Sequence, residues 1–223
     1  MSEKYIYVIV SATYTKAGKV IRMVTRSVYN HVSLSFDENM KELYSFARLY
    51  YDLPFVGGPV KETYDRFCLH KPSGGVSIKV YKIPVTEEAF NAARARVREI
   101  FNDGEYAYNL ISAFTFMFRH GVERYKTFTC SEFVSHVLRI ARPDVLPDIP
   151  DCKIVPDDFT DFLAPFEIYR GALNGFIQFG ESTDEEFFDK IAFVPRWYMT
   201  FIYIKTRYSK TYLKNRQRAG NHT

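Results

Sequence analysis

Apolar positions gather early in the chain and set out a series of strands. Residues 5–12 and 18–24 read as strands on either side of the polar turn Thr15-Lys16-Ala17-Gly18, and Asn30 to Phe36 reads as a third. In that third run Val32, Leu34 and Phe36 face one way, and His31, Ser33 and Ser35 the other. Asp37-Glu38-Asn39-Met40 predicts a hairpin loop into Glu42 to Ala47, so the chain opens as an antiparallel meander. Residues 48–73 carry Pro54, Gly57, Gly58, Pro59 and Pro72 and predict irregular structure, before strand character returns over Val76 to Ile83.

The period then changes. Thr86 followed by Glu87 and Glu88 predicts a helix start, and Phe90, Ala93, Val97 and Ile100 recur at helical spacing as far as Asp103-Gly104. A second helix is expected over Tyr108 to Phe118 and a third from Cys130 to Ala141, stopped by Arg142-Pro143. A Pro- and Asp-rich loop at 143–158, a short helix near Asp157 to Leu163, and strands or mixed structure from there to the tail complete the pattern. Strands followed by helices point to an α+β domain.

Composition narrows the function classes. With 223 residues, 47% hydrophobic and 25% charged, the chain can bury a substantial core, and it contains neither a low-complexity linker nor a periodic repeat. The longest apolar run, Leu110 to Phe118, falls short of the roughly 20 residues that cross a bilayer. Met1-Ser2-Glu3-Lys4-Tyr5 lacks the features of a signal peptide, so a cytoplasmic location is expected. Cys68, Cys130 and Cys152 are odd in number and widely spaced, which predicts at least one free thiol and no CxxC metal site. No Gly-rich phosphate loop is present, so no nucleotide, metal or other cofactor is expected.

The net charge of +4 conceals an asymmetry. No acidic residue follows Asp189, whereas Lys190, Arg196, Lys205, Arg207, Lys210, Lys214, Arg216 and Arg218 do, which leaves residues 1–189 at −4. This basic end, interleaved with Tyr203, Tyr208 and Tyr212, reads as a solvated terminus or as a contact for an anionic membrane or nucleic acid.

The sharpest chemical signal is Thr129-Cys130-Ser131-Glu132 ahead of Phe133, Val134, Val137 and Leu138, a capping box that sets Cys130 at the first helical position. There the helix dipole and unpaired backbone N–H groups favour a thiolate, the nucleophilic form. Read without that chemistry, Cys130 is a small core residue at a helix start. A nucleophilic thiol needs a base. His136 lies six residues along the same helix, about 240° around its axis, and so faces away from Cys130. His70, His120 and His222 sit in polar loop or tail contexts, which leaves His31, held rigidly on the polar face of a strand.

These residues resemble a known family. A strand with Asn30-His31-Val32-Ser33-Leu34-Ser35-Phe36, a hairpin into Glu42-Leu43-Tyr44-Ser45-Phe46-Ala47, and much later Phe128-Thr129-Cys130-Ser131-Glu132-Phe133-Val134 at a helix start look like the circularly permuted NlpC-type papain-like cysteine hydrolases, the YiiX-like group. Val155-Pro156-Asp157-Asp158-Phe159 resembles the Pro-Asp turn that often follows the helix, and Tyr108-Asn109 the Tyr-Asp pair ahead of the cysteine. The resemblance covers roughly residues 5–170 and implies an antiparallel, barrel-like sheet packed on the cysteine helix, with a hydrolase domain over 1–189 and an extension over 190–223. It also implies Cys130 as nucleophile, His31 as general base and acid, and an oxyanion hole that includes the Cys130 N–H. Ser45 matches the position of the group that orients the histidine, with Glu42 as the acidic substitute if the hairpin register shifts. The implied activity is hydrolysis or acyl transfer at an amide or ester bond of a peptide, amide or lipid ester. The alternatives are a weak or silent relative that binds an acyl or peptidyl ligand, and an adaptor acting through the basic end.

Overall fold

The computed structural model describes residues 3–13, 27–68, 75–115, 121–177, 184–188 and 195–206. They form an α+β architecture around one six-stranded antiparallel sheet. Its strands are β1 (Lys4–Ser11), β2 (His31–Ser35), β3 (Leu43–Arg48), β4 (Gly57–Glu62), β5 (Ser77–Val85) and β8 (Glu167–Ala172), in the order β4-β3-β2-β1-β5-β8. The expected meander is therefore present in β1, β2 and β3, while the predicted turn at 15–18 and strand at 18–24 lie outside the described residues.

Strand β1 is apolar from Tyr5 to Val10 because both of its faces are covered. On one side Ile6, Val8 and Val10 join Val32, Leu34 and Phe46 in a core completed by two helices. These are α2 (Glu87–Asn102), capped by Thr86 as its sequence predicts, and α4 (Cys130–Ala141), which contributes Phe133, Val134, Val137 and Leu138. Tyr7 and Ile9 meet Leu43, Ile78 and Val80 on the other side, under Phe67 and Cys68 of α1 (Tyr64–Cys68) and under Leu173. Each such fully buried side chain contributes about 1.5–3 kcal/mol relative to exposure.

A parallel two-residue pair, β6 (Ala107–Tyr108) with β7 (Thr127–Phe128), leads into α3 (Leu110–Thr115) and α4 respectively. The second helix thus begins at Leu110 instead of Tyr108, because Tyr108 belongs to that strand pair, and residues 116–118 of the expected helix lie outside the described residues. Short 3-10 turns fill the 143–158 loop, followed by α5 (Phe159–Phe162), α6 (Glu185–Phe188) and a helical stretch at 195–206, α7. Among the described residues no helix is long and apolar enough to cross a membrane.

One expectation fails. Residues 48–73 are not irregular throughout, since they contain β4 and α1. Gly57-Gly58-Pro59 looks like punctuation, yet β4 is an edge strand, where a proline removes no hydrogen bond that a second neighbour would need. Gly57 fits for a further reason: a Cβ there would stand 2.8 Å from both the Ala47 carbonyl oxygen and the Tyr108 Cβ.

Candidate active site

The start of α4 is built as a closed circuit of hydrogen bonds. The Thr129 hydroxyl accepts from the Glu132 N–H (3.2 Å), and the Glu132 carboxylate accepts from the Thr129 N–H (2.5 Å). Asn109 donates to the same carboxylate at 2.9 Å and Ser112 at 3.0 Å, so the capping box is buckled to the start of α3. Burial pushes the Glu132 carboxyl up to about 7 even though these donors pull the other way. Asn109, expected as part of a Tyr-Asp-like pair, holds the carboxylate that fixes the N-cap. Cys130, immediately after that cap, is 3% exposed.

His31 opens β2, and the backbone just ahead of it is also tied down. Asp157 Oδ1 accepts from the Tyr29 N–H at 3.0 Å, and the Asn30 amide donates to the Thr13 carbonyl at 3.2 Å. The Pro156-Asp157 turn singled out in the sequence therefore pins the lead into the histidine strand.

His31 Nε2 lies 2.5 Å from Glu62 Oε1 at the end of β4, and the Glu62 side chain is 4% exposed. The Cys130 side chain lies close enough to the same ring to raise its pKa. The Phe67 ring closes over the imidazole edge-on, with centroids 6.2 Å apart. Burial disfavours a charged ring, but the Glu62 carboxylate, with the hydrogen bond it accepts from the ring and the neighbouring Cys130 sulfur, overrides it and raises the His31 pKa to about 10. The ring is thereby a strong base, able to hold a proton that the neighbouring thiol gives up. Opposite His31 in the sheet register stands Ser11, whose hydroxyl is buried with no hydrogen-bond partner.

Two of the three expected site residues, Cys130 and His31, are thus brought together, and Ser45 is not. The Ser45 hydroxyl donates to the Val32 carbonyl at 2.8 Å, within the sheet, while the ring turns to β4 instead. Glu42 does not take its place either, since its exposed carboxylate pairs with Lys61 at 2.5 Å and accepts from the Tyr44 hydroxyl at 2.6 Å. The carboxylate that the ring does meet is Glu62. Sequence reasoning missed it because 48–73 read as irregular; the period-two run Val60-Lys61-Glu62 was the available signal. Replacing Ser45 with alanine should lower stability by about 1 kcal/mol, the net worth of one hydrogen bond, and leave any activity within a few-fold of wild type. Urea midpoints and turnover of the same preparations check this, and a loss of activity beyond tenfold with the fold intact would return Ser45 to the site.

The other histidines stand apart. His136 accepts from Arg96 at 3.0 Å and faces a separate pocket of about 580 Å³, whose lining cations include Arg124 as well as Arg96, ion-paired with Glu99, and Lys126, ion-paired with Asp103 and Glu105. His70, His120 and His222 lie outside the described residues. Among the described residues no group of three or more His, Cys, Asp or Glu side chains is arranged to hold a metal ion. No protein-family model, curated protein or solved structure matches the chain.

Proposed function

We propose that the chain is a cysteine-dependent hydrolase or acyltransferase acting on an amide or ester bond, with the permuted papain-like arrangement in which the histidine strand precedes the cysteine helix. The observation that carries this reading is the His31 ring held between the Cys130 thiol and the buried Glu62 carboxylate. His31 takes the thiol proton, and the sulfur attacks the substrate carbonyl carbon. The resulting oxyanion is met by the unpaired Cys130 N–H at the start of α4. As the tetrahedral intermediate collapses, His31 returns the proton to the departing amine or alcohol and an acyl-cysteine remains. His31 then draws a proton from water, or from an acceptor alcohol or amine, whose oxygen or nitrogen attacks the acyl carbon and releases Cys130. Glu62 holds the ring in position and balances its positive charge throughout. The alternative of a catalytically silent binding protein drew its support from a serine at the orienting position, and an acid stands there instead.

A folded sample mixed with p-nitrophenyl acetate should gain one acetyl group on Cys130 in the peptide mass spectrum. A limiting dose of iodoacetamide near neutral pH should label Cys130 before Cys68 or Cys152, the last of which is buried, with its pKa raised by that burial. Labelling of Cys68 or Cys152 first, with no acetyl adduct on Cys130, would defeat the proposal.

A further inference from the structure

Helix α7 has its polarity reversed. Arg196, Thr200 and Tyr203, at i, i+4 and i+7, lie on the half-buried side. Arg196 pairs with Asp52 at 2.8 Å, and the Tyr203 hydroxyl donates to the Gly57 carbonyl. The opposite arc carries Trp197 (70% exposed), Tyr198 (64%), Phe201 (51%), Ile202 and Ile204. Its only charge is Lys205, whose four-carbon stem can lie along an apolar surface with the ammonium at the polar boundary. A helix packed on a core for its own stability would turn its aromatic arc inward and its polar arc outward. Here the body holds the polar side and offers the rings outward. Trp197 and Phe201 stack with parallel planes, which presents one continuous apolar ridge. Tyr51 and Phe55, on either side of Asp52 in the sequence, are exposed as well and extend the apolar character next to the anchor.

From this reversed helix we infer that α7 is the contact by which the protein lies on an anionic lipid bilayer, in the plane of the headgroups. Tryptophan and tyrosine favour that boundary, where their apolar bodies and polar tips are both satisfied. Charge separates lipid from the other occupants. Lys205 stands on the exposed arc, and Arg207, Lys210, Lys214, Arg216 and Arg218 follow in the sequence with no acidic residue after Asp189, against a net −4 in residues 1–189. A second copy of the chain would set basic end against basic end, and a nucleic acid would be met through phosphates by the cations and would leave an outward ridge of Ile202, Ile204 and Phe201 uncovered. An acidic membrane matches ridge and cations together. The anchor also sets the orientation. Gly57 begins β4 and pairs with Arg48 at the end of β3, beside the start of antiparallel β2, so α7 is bonded at the end of the sheet where His31 stands. No chemistry of Cys130 or His31 is needed for this contact, so the docking surface and the thiol chemistry stand or fall separately.

Trp197 is the chain's only tryptophan, which makes the test direct. Mixing the full chain with vesicles of equal parts phosphatidylcholine and phosphatidylserine should shift its emission to the blue and bring the protein down with the vesicles. Phosphatidylcholine alone, or high salt, should reduce binding at least about tenfold, as expected when several cations each contribute near an acidic surface. Phe201→Ser with Ile202→Ser should abolish sedimentation while Cys130 keeps its wild-type labelling rate, which shows that the fold persists. The inference is overturned if neither vesicle binds, if the blue shift follows protein concentration without lipid and dimers form, or if single-stranded nucleic acid shifts Trp197 while vesicles do not.

Discussion

Alanine in place of Cys130 or of His31 is expected to remove nearly all activity, on the order of a thousandfold or more each, and the double variant should be at most a few-fold worse than either single one. In the proposed mechanism the two act on one proton. Without the sulfur there is no acyl intermediate for His31 to serve, and without the ring the thiol proton has no acceptor and the leaving group no donor. Measured kcat/KM for the two single variants and the double, on whichever ester or amide is turned over, decides the matter. Losses that multiply would mean two independent contributions and would remove the paired mechanism, as would a fully active His31→Ala.

The second large effect belongs to Glu62. Exchange to glutamine keeps the shape and removes the charge, and kcat/KM should fall at least about a hundredfold, the lower end of what a positioned acid–base system supplies. A merely structural role would be revealed by stability without a pH signature, so the pH dependence is part of the prediction. The His31 pKa lies above its ordinary 6.5, at about 10, in the folded state. The folded protein therefore binds this proton more tightly than the unfolded chain, and the stabilisation is complete below about 6.5 and lost as pH rises through about 10. Wild-type urea midpoints should decline across that window, and Glu62→Gln should flatten the decline because the carboxylate is the largest favourable cause of the shift. A variant with wild-type kcat/KM and an unchanged slope would exclude Glu62 from the site.

The parts legible in the sequence were those that local chemistry specifies. Thr129 and Glu132 declare a helix start three residues apart, and the structure closes that capping box with Cys130 immediately behind the cap. Thr86 did the same for α2. His31 could be assigned to the polar face of its strand from period two alone. What could not be read was the partner of the ring, because it depends on how far the sheet coils rather than on any neighbouring residue. Glu62 lies on β4, with β3 between it and the histidine strand, and 31 residues separate it from His31. Ser45 was the nearer choice along the chain, yet the Val32 carbonyl takes its hydroxyl. Helix α7 escaped altogether, since the stretch beyond α5 reads as strand or mixed structure in the sequence, and which face of a helix the rest of the protein covers is not a local property.

Strand β4 carries the carboxylate and has a sheet neighbour on one side only, whereas β1 is hydrogen-bonded along both edges. The two therefore differ in the free energy of local opening: the edge strand, with Gly57, Gly58 and Pro59 in its first half, can detach while β1, β2 and β5 stay closed. Such an opening draws Glu62 away from the imidazole and leaves Cys130 and His31 seated on elements that have not moved. Loss of the aligned site is then a sub-global event that reverses when the strand re-pairs, separate from the cooperative unfolding of the sheet.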